Sequence, residues 1–386
     1  MINHDRLLAT FLDLVRVDNP SGGEAAIAAH IRGLLESLGL AVEEDAVHNL
    51  LARVPGEGEP LLLNAHMDSV APCHGVRPLV ADGGILTLRP FDFAQGNRAQ
   101  GGPDGRVVRS SGDTVLGADD LAGVAAIIEG VRATLERGGS HRAAELLLTV
   151  QEEVGLAGAV AFDTAKLRAR TGVTLDSGGD FGGITIAAPS QDSLHAIVTG
   201  RAAHAGVAPE RGINAIVVAA NALAAMPLGR IDAETTANIG IIKGGDATNI
   251  VPERVELWGE ARSHSQEKLS DQVGAMVAAL EAAASAAGGS VRIEITHTYD
   301  AYHLPEELPI IQQLATALRA MGYEPQYQVS GGGSDVNILS QRGLQIANVS
   351  VGYREIHSTG EYIAVADLER SAELVARLLE VDLNPK

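Results

Sequence analysis

Several short apolar runs in this chain break off into His, Asp or Glu, and that pattern restricts the fold more than any other feature. The run "LLLNA" (residues 61–65) ends at His66, with Asp68 two positions on. "LLLTV" (146–150) leads through Gln151 to Glu152 and Glu153, "GVTL" (172–175) ends at Asp176, and "IANVSVG" (346–352) precedes His357. Short apolar runs bounded by turn residues read as buried strands of a parallel sheet. Between them lie helical patterns at about 4–18 and 24–39, a long one from Asp119, and a C-terminal one in "DLERSAELVARLLEV". Strands alternating with helices predict an α/β fold, a mixed sheet with helices on both faces.

From about residue 189 the rhythm changes. "SLHAIVTG", "TTANIGIIKGG", "RVELWGEARS" and "VRIEITHTYD" read as strands, with helices in "GINAIVVAANALAAM" and "QEKLSDQVGAMVAALEAAASAAGG". That order, β-α-β-β-α-β, predicts an α+β ferredoxin-like unit. The expected organisation is a discontinuous larger domain, 1–188 and 302–386, with 189–301 inserted. The Gly- and Arg-rich segment at about 89–113 reads as a long surface loop or hairpin.

Composition removes several classes of function. With 29 Lys and Arg against 49 Asp and Glu, the formal charge is −20, which argues against a nucleic-acid or anionic-membrane partner. The single Cys73 excludes an intrachain disulfide and a cysteine-based metal cluster, and suits a reducing compartment. The N-terminus lacks the unbroken apolar core of a signal peptide, and no run approaches the ~18 apolar residues of a membrane span. A cytoplasmic location is the expectation.

In open α/β sheets ligands bind at the carboxyl ends of the strands. Each acidic or imidazole residue there has an ordinary reading when taken alone. Asp119 or Asp120, in the turn "LGADD", suits a helix N-cap. His66 suits a hydrogen-bonded strand end, Glu152 and Glu153 a solvated corner, and His357 a loop. Together they converge on one rim, where clustered carboxylates repel unless a cation compensates. Nitrogen and oxygen donors without thiolates suit zinc, and also cobalt or manganese. Asp119, Glu153 and Asp176 supply three negative charges, which two divalent ions and one bridging hydroxide neutralise, so two ions are expected. Asp68, two residues past His66, is placed to accept the second ring N–H of that histidine. Adjacent residues of an extended segment point in opposite directions, so Glu152 and Glu153 are expected to divide the work: one holds metal, the other takes a proton from water.

With these residues assembled, the sequence resembles the co-catalytic zinc exopeptidase family of aminoacylases, glutamate carboxypeptidases and peptidase T, and most of all its peptidase T-like branch. The matching motifs are "NAHMDSV", "VLGADDLAGVAAI", "VQEEVGLAGA", "TLDSGG", "GRAAHAGVAPERGINAI", "GGDATNIVPERVELWGEARS", "GGGSDVNIL" and "IHSTGEYI", in family order from residue 64 to 363. The resemblance implies His66, Asp119, Glu153, Asp176 and His357 as metal ligands, with Asp119 bridging. It implies Glu152 as general base and Asp68 as the residue that orients His66. It also implies a homodimer through the inserted domain, with His204 reaching toward an active site, in many members the partner's. Asn249, Arg262, Gly331, Gly332 and Gly333 match positions that hold a substrate's backbone carboxylate or carbonyl. Alone, His204 would be a loop histidine, Arg262 the partner of a nearby acid, and "GGGSD" a flexible turn. "GGDFGG" at 178–183 invites a nucleotide-binding reading but lacks the strand–GxGxxG–helix context.

The expected function is hydrolysis of an amide bond in a short peptide, of the aminopeptidase (tripeptidase) type. A carboxypeptidase or N-acyl-amino-acid deacylase of the same family is the alternative, because all share the metal site. A catalytically silent binding relative fits less well, since all five ligands and the base are present. The 89–113 loop is longer than in the members most resembled, which bears on the shape of the rim.

Overall fold

The computed structural model describes residues 1–82 and 105–381. The chain divides into two compact units: residues 1–186, 304–329 and 334 onward form the first, and 187–303 with 330–333 the second.

The first unit is built on a mixed sheet. Its strands run in the order Val42–Glu44, Leu50–Val54, Arg142–Thr149, Glu57–His66, Thr171–Ser177, Gln345–Ser350 and Gly183–Ala188. The four from Arg142–Thr149 to Gln345–Ser350 are mutually parallel, while Leu50–Val54 and Gly183–Ala188 run antiparallel to their neighbours. Residues 61–66 are all buried, on both sides of the pleat, which requires cover on both faces. Helices supply it. His4–Leu14 buries Leu7, Thr10, Phe11 and Leu14, a helical spacing, and Asn3 caps it by accepting from the Arg6 amide. Ala118–Arg137 packs on the central strands and against the C-terminal helix Val365–Leu378. The two helices approach closely: a Cβ on Gly130 would meet the Val375 side chain at 2.6 Å. The strands Val42–Glu44, Leu50–Val54 and Gly183–Ala188 are absent from the sequence reading; the first two, of three and five residues, are too short to carry much periodicity of their own.

Of the segment expected as a surface hairpin, residues 89–104 lie outside the described residues. Its flanks, Leu79–Asp82 and Arg106–Arg109, pair antiparallel and join Tyr362–Ala364 and Tyr353–Arg354 in a small separate sheet.

The second unit follows the expected β-α-β-β-α-β order. Its main strands, Thr235–Gly244, Arg254–Ser263, Ser190–Thr199 and Ser290–Tyr299, lie side by side in that order, all antiparallel to their neighbours. Helices Ala215–Ala225 and Gln266–Ala286 cover one face through Val218, Leu269, Met276 and Leu280, packed on Leu194, Ala196, Val198, Val255 and Leu257. Among the described residues no helix is long and apolar enough to cross a membrane.

Candidate metal centre

The carboxyl ends of the parallel strands deliver the site. His66 closes its strand, Asp176 is the last residue but one of Thr171–Ser177, and Glu152 and Glu153 follow Thr149 within a few residues. Asp119 enters from the start of the helix Ala118–Arg137 and His357 from the loop after Gln345–Ser350.

Asp119 and Asp120 do not cap that helix. Gly117 occupies the N-cap in the left-handed region (φ 78°), and both aspartates have non-helical backbone angles. A side chain at Gly117 would be strained there, and its Cβ would sit 2.9 Å from Ser69 Oγ. The amides of Leu116, Gly117 and Asp119 all donate to the buried carboxylate of Glu361, at 2.8, 2.9 and 2.9 Å. Asp120 turns inward and accepts the backbone N–H of His66 at 3.1 Å. Asp119 is thereby left facing the rim.

Its two oxygens face two different groups. Oδ1 lies 3.1 Å from His66 Nε2, which is itself 3.7 Å from Asp176 Oδ1. Oδ2 lies 3.7 Å from His357 Nε2, and that nitrogen is 3.0 Å from Glu153 Oε2. The donor atoms of His66, Asp119 and Asp176 all fall within 4.8 Å of one another, and so do those of Asp119, Glu153 and His357. Asp119 is common to both sets. Tyr353 donates its hydroxyl to Asp176 Oδ1 at 3.0 Å, and Asn348 accepts the Asp176 amide.

The expected reason for a division of labour between Glu152 and Glu153 does not hold. The strand stops at Thr149, Gln151 has φ 53°, and Glu153 opens a turn, so the pair lies outside the strand on which that alternation rests. One carboxylate oxygen of each lies within 4.8 Å of the other and of His66. Their surroundings differ instead. Glu153 is bonded to His357, whereas Glu152 is buried, and burial together with the charges of Asp176, Glu153 and Asp335 pushes its pKa well above the usual carboxylate range.

Asp68 is fully buried, and its surroundings are richer than the sequence suggests. His66 Nδ1 lies 3.0 Å from the backbone carbonyl of Asp68 and 3.4 Å from its carboxylate. The carboxylate accepts the amides of Glu152 and Glu153, at 2.9 and 3.2 Å, and the Ser21 hydroxyl at 2.7 Å.

The electrostatics fit a cation. Burial pushes Asp176 up to about 7 against the pull of His66, and raises Glu153 against its bond to His357. Burial disfavours the His66 imidazolium, yet Asp119, Asp176 and Asp68 outweigh it and hold that proton well above the ordinary imidazole range. His357 is raised chiefly by its bond to Glu153. Asp119 is lowered, because His66 and His357 overcome its burial, and so is Asp68, where His66, Ser21 and the Glu152 amide overcome burial. A cluster in which burial and mutual repulsion disfavour the carboxylate charges is one that divalent cations would compensate. Two nitrogen-and-oxygen donor sets sharing one carboxylate suit such ions.

The remaining candidates belong to the second unit. His204 is exposed, pairs with Ile250 in a two-residue ladder, and its Nδ1 accepts the amides of Gly206 and Val207. Asn249 adjoins it, accepting the Ala205 amide through its carbonyl. Arg262 pairs with Glu260 at 2.9 Å and lies beside Gly332, while Gly333 is packed on the Tyr299 ring. The loop is therefore not the free turn that "GGGSD" suggests when read alone. Residues that sequence reasoning passed over include Ser21, Glu24, Tyr353 and Glu361. Only the polar, glycine-containing strings "NPSGGE" and "STGE" signalled any of them.

Comparison with known proteins agrees with this geometry. Residues 49–210 match the model of peptidase family M28, and residues 187–287 that of a peptidase dimerisation domain. Protein YqjE of Bacillus subtilis (strain 168) is 38% identical, with 98% of this chain and 99% of that protein aligned. The crystal structure of aminopeptidase PepT from Bacillus cereus ATCC 10987 is 38% identical, covers 98% of each chain and gives a TM-score of 0.77. That of a tripeptidase from Staphylococcus aureus subsp. aureus Mu50 is 34% identical, covers 100% of each and gives 0.85. Fold and site together define a metallopeptidase that uses divalent cations. The chain belongs to the zinc exopeptidase family, in its peptidase T-like branch.

Proposed function

We propose that this protein is an aminopeptidase acting on short peptides, of the tripeptidase type, with two divalent ions, zinc in the first place. Residues 1–188 and 302–386 would form its catalytic domain and 189–301 its dimerisation domain. The observation that carries the reading is the sharing of Asp119 between two three-residue donor sets, with Glu152 beside them. His66, Asp119 and Asp176 would hold one ion, and Asp119, Glu153 and His357 the other. Bound there, such ions polarise a scissile carbonyl and lower the pKa of water.

The chain supplies the rest. Glu152 takes a proton from the attacking water and returns it to the leaving amine; its raised proton affinity suits both transfers. Asp68 holds His66 and the amides of Glu152 and Glu153. The family resemblance supports His204, Asn249, Arg262, Gly331, Gly332 and Gly333 as contacts to the substrate backbone. The named aminopeptidase and tripeptidase relatives support the choice over a carboxypeptidase or deacylase.

A homodimer is supported by the match to a dimerisation domain and by exposed Ile216, Val217, Ile241 and Ile242 in the second unit. A cytoplasmic location accords with the lone, buried Cys73. The deciding experiment offers the zinc- or cobalt-loaded enzyme di- and tripeptides, their N-acetylated and C-amidated forms, and N-acyl amino acids. Cleavage that needs a free α-amino group and tolerates C-amidation is expected. Activity confined to N-blocked substrates would transfer the assignment to a deacylase or carboxypeptidase. Mixing His204→Ala and Glu152→Gln protomers should restore activity if the histidine acts across subunits.

A further inference from the structure

Three consecutive amides, those of Gln151, Glu152 and Glu153, are held by side chains from elsewhere in the chain. Glu24 Oε1 accepts the Gln151 amide at 3.0 Å, and Asp68 accepts the next two. Asp68 is in turn bonded by the Ser21 hydroxyl. Glu24 and Ser21 both lie in "NPSGGE", the turn between the first two helices, where Asn19 also donates to the Met67 carbonyl at 2.8 Å and to Ser69 Oγ at 2.9 Å. This turn thus bonds the segments that follow two different parallel strands.

The need for such a brace is local. Residues 151–153 have left the strand ladder, and Gln151 sits in the left-handed region at φ 53°, which a non-glycine residue keeps only where its surroundings over-determine it. Glu24 is 2% exposed, and the same Oε1 also accepts the Gly22 amide at 2.8 Å, so two backbone amides hold that one oxygen. We propose that Ser21 and Glu24 are positioning residues: through Asp68 and the Gln151 amide they set where Glu152 and Glu153 stand. The inference rests on the reading of Glu152 as base and Glu153 as metal ligand.

The bonding suggests its own control. Both bonds to Glu24 end on one oxygen, so Glu24→Gln keeps an acceptor there while Glu24→Ala removes it; Ser21→Thr and Ser21→Ala stand in the same relation. In the full-length protein, Glu24→Ala and Ser21→Ala should speed hydrogen exchange at the amides of 151–153 and weaken cobalt binding, read from its visible absorption. In the metal-loaded enzyme kcat should fall about 10–100-fold with KM within about threefold, as for other supports of a metal site. Glu24→Gln and Ser21→Thr should recover most of each loss. If Glu24→Ala unfolds the protein, Ser21→Ala carries the test.

Unchanged kcat and cobalt affinity in the alanine variants would overturn the proposal. So would a Glu24→Gln variant as impaired as Glu24→Ala. A wild-type enzyme with no peptidase turnover would instead refute the proposed function, and exchange and cobalt binding would still decide the brace.

Discussion

The amide of Glu152 donates to the carboxylate of Asp68 across 2.9 Å, a bond between residues 84 apart in the chain. It ties the loop after one parallel strand to the loop after its neighbour, because Asp68 follows His66 and Glu152 follows Thr149. Asp68→Asn should therefore injure both. An asparagine offers one acceptor oxygen where the carboxylate uses two, and its NH2 would face an amide donor. The expected cost is about 1–3 kcal/mol of stability, with kcat lower by about 10–100-fold. Urea unfolding and steady-state kinetics check it, and a variant equal to wild type in both would remove Asp68 from its supporting role.

Glu152→Gln keeps the size of the side chain and removes its basicity. Metal content and melting temperature should stay near wild type while hydrolysis drops by about two to four orders of magnitude. Turnover at a near-normal rate, measured on protein of confirmed metal content, would remove the general-base assignment.

His357 is half exposed and lies on a loop, at φ 59°, so its loss should leave the core undisturbed. His357→Ala should lower the bound metal from two ions per chain toward one. Unchanged stoichiometry by elemental analysis would unseat this ligand.

Chelation should expose the charge problem of the cluster. Asp176 holds its proton up to about 7, mainly through burial, and Glu152 and Glu153 are raised for the same reason. A carboxyl with a raised folded pKa contributes stability that is full below its unfolded value, about 4, and is lost as pH rises through the folded value. His66, also raised, keeps its contribution through that interval and loses it only as pH rises above the ordinary imidazole value. Asp119 is lowered and works the opposite way, but only as pH falls below the ordinary Asp range. Relative to metal-loaded protein, the chelated protein should thus lose thermal stability between about pH 4 and about pH 7. Parallel melting curves across that interval, with and without metal, would contradict the electrostatic account of the site.

Much of the fold is legible in sequence because burial on both faces of a parallel sheet forces short, mostly apolar runs such as residues 61–65 and 146–150. Such runs locate strands and, by their ends, the rim where His66, Asp119, Glu152, Glu153, Asp176 and His357 gather. The edge strand Val42–Glu44, its neighbour Leu50–Val54 and the paired flanks at Leu79–Asp82 and Arg106–Arg109 escaped. Short edge elements owe their pairing to partners distant in the chain, and local pattern does not encode those partners.

The sequence by itself determined which side chains the site has available and in what number, since donor chemistry and charge belong to composition and order. Only the tertiary structure decided how they divide. It set Asp119 between two groups, denied it the capping role that its position suggested, and gave Asp68, itself bonded by Ser21, a hold on the amides of Glu152 and Glu153, with Glu24 holding that of Gln151. The physical reason is that a carboxylate's role depends on which donors stand within about 3 Å of each oxygen. Here those donors come from residues 47 to 245 positions away.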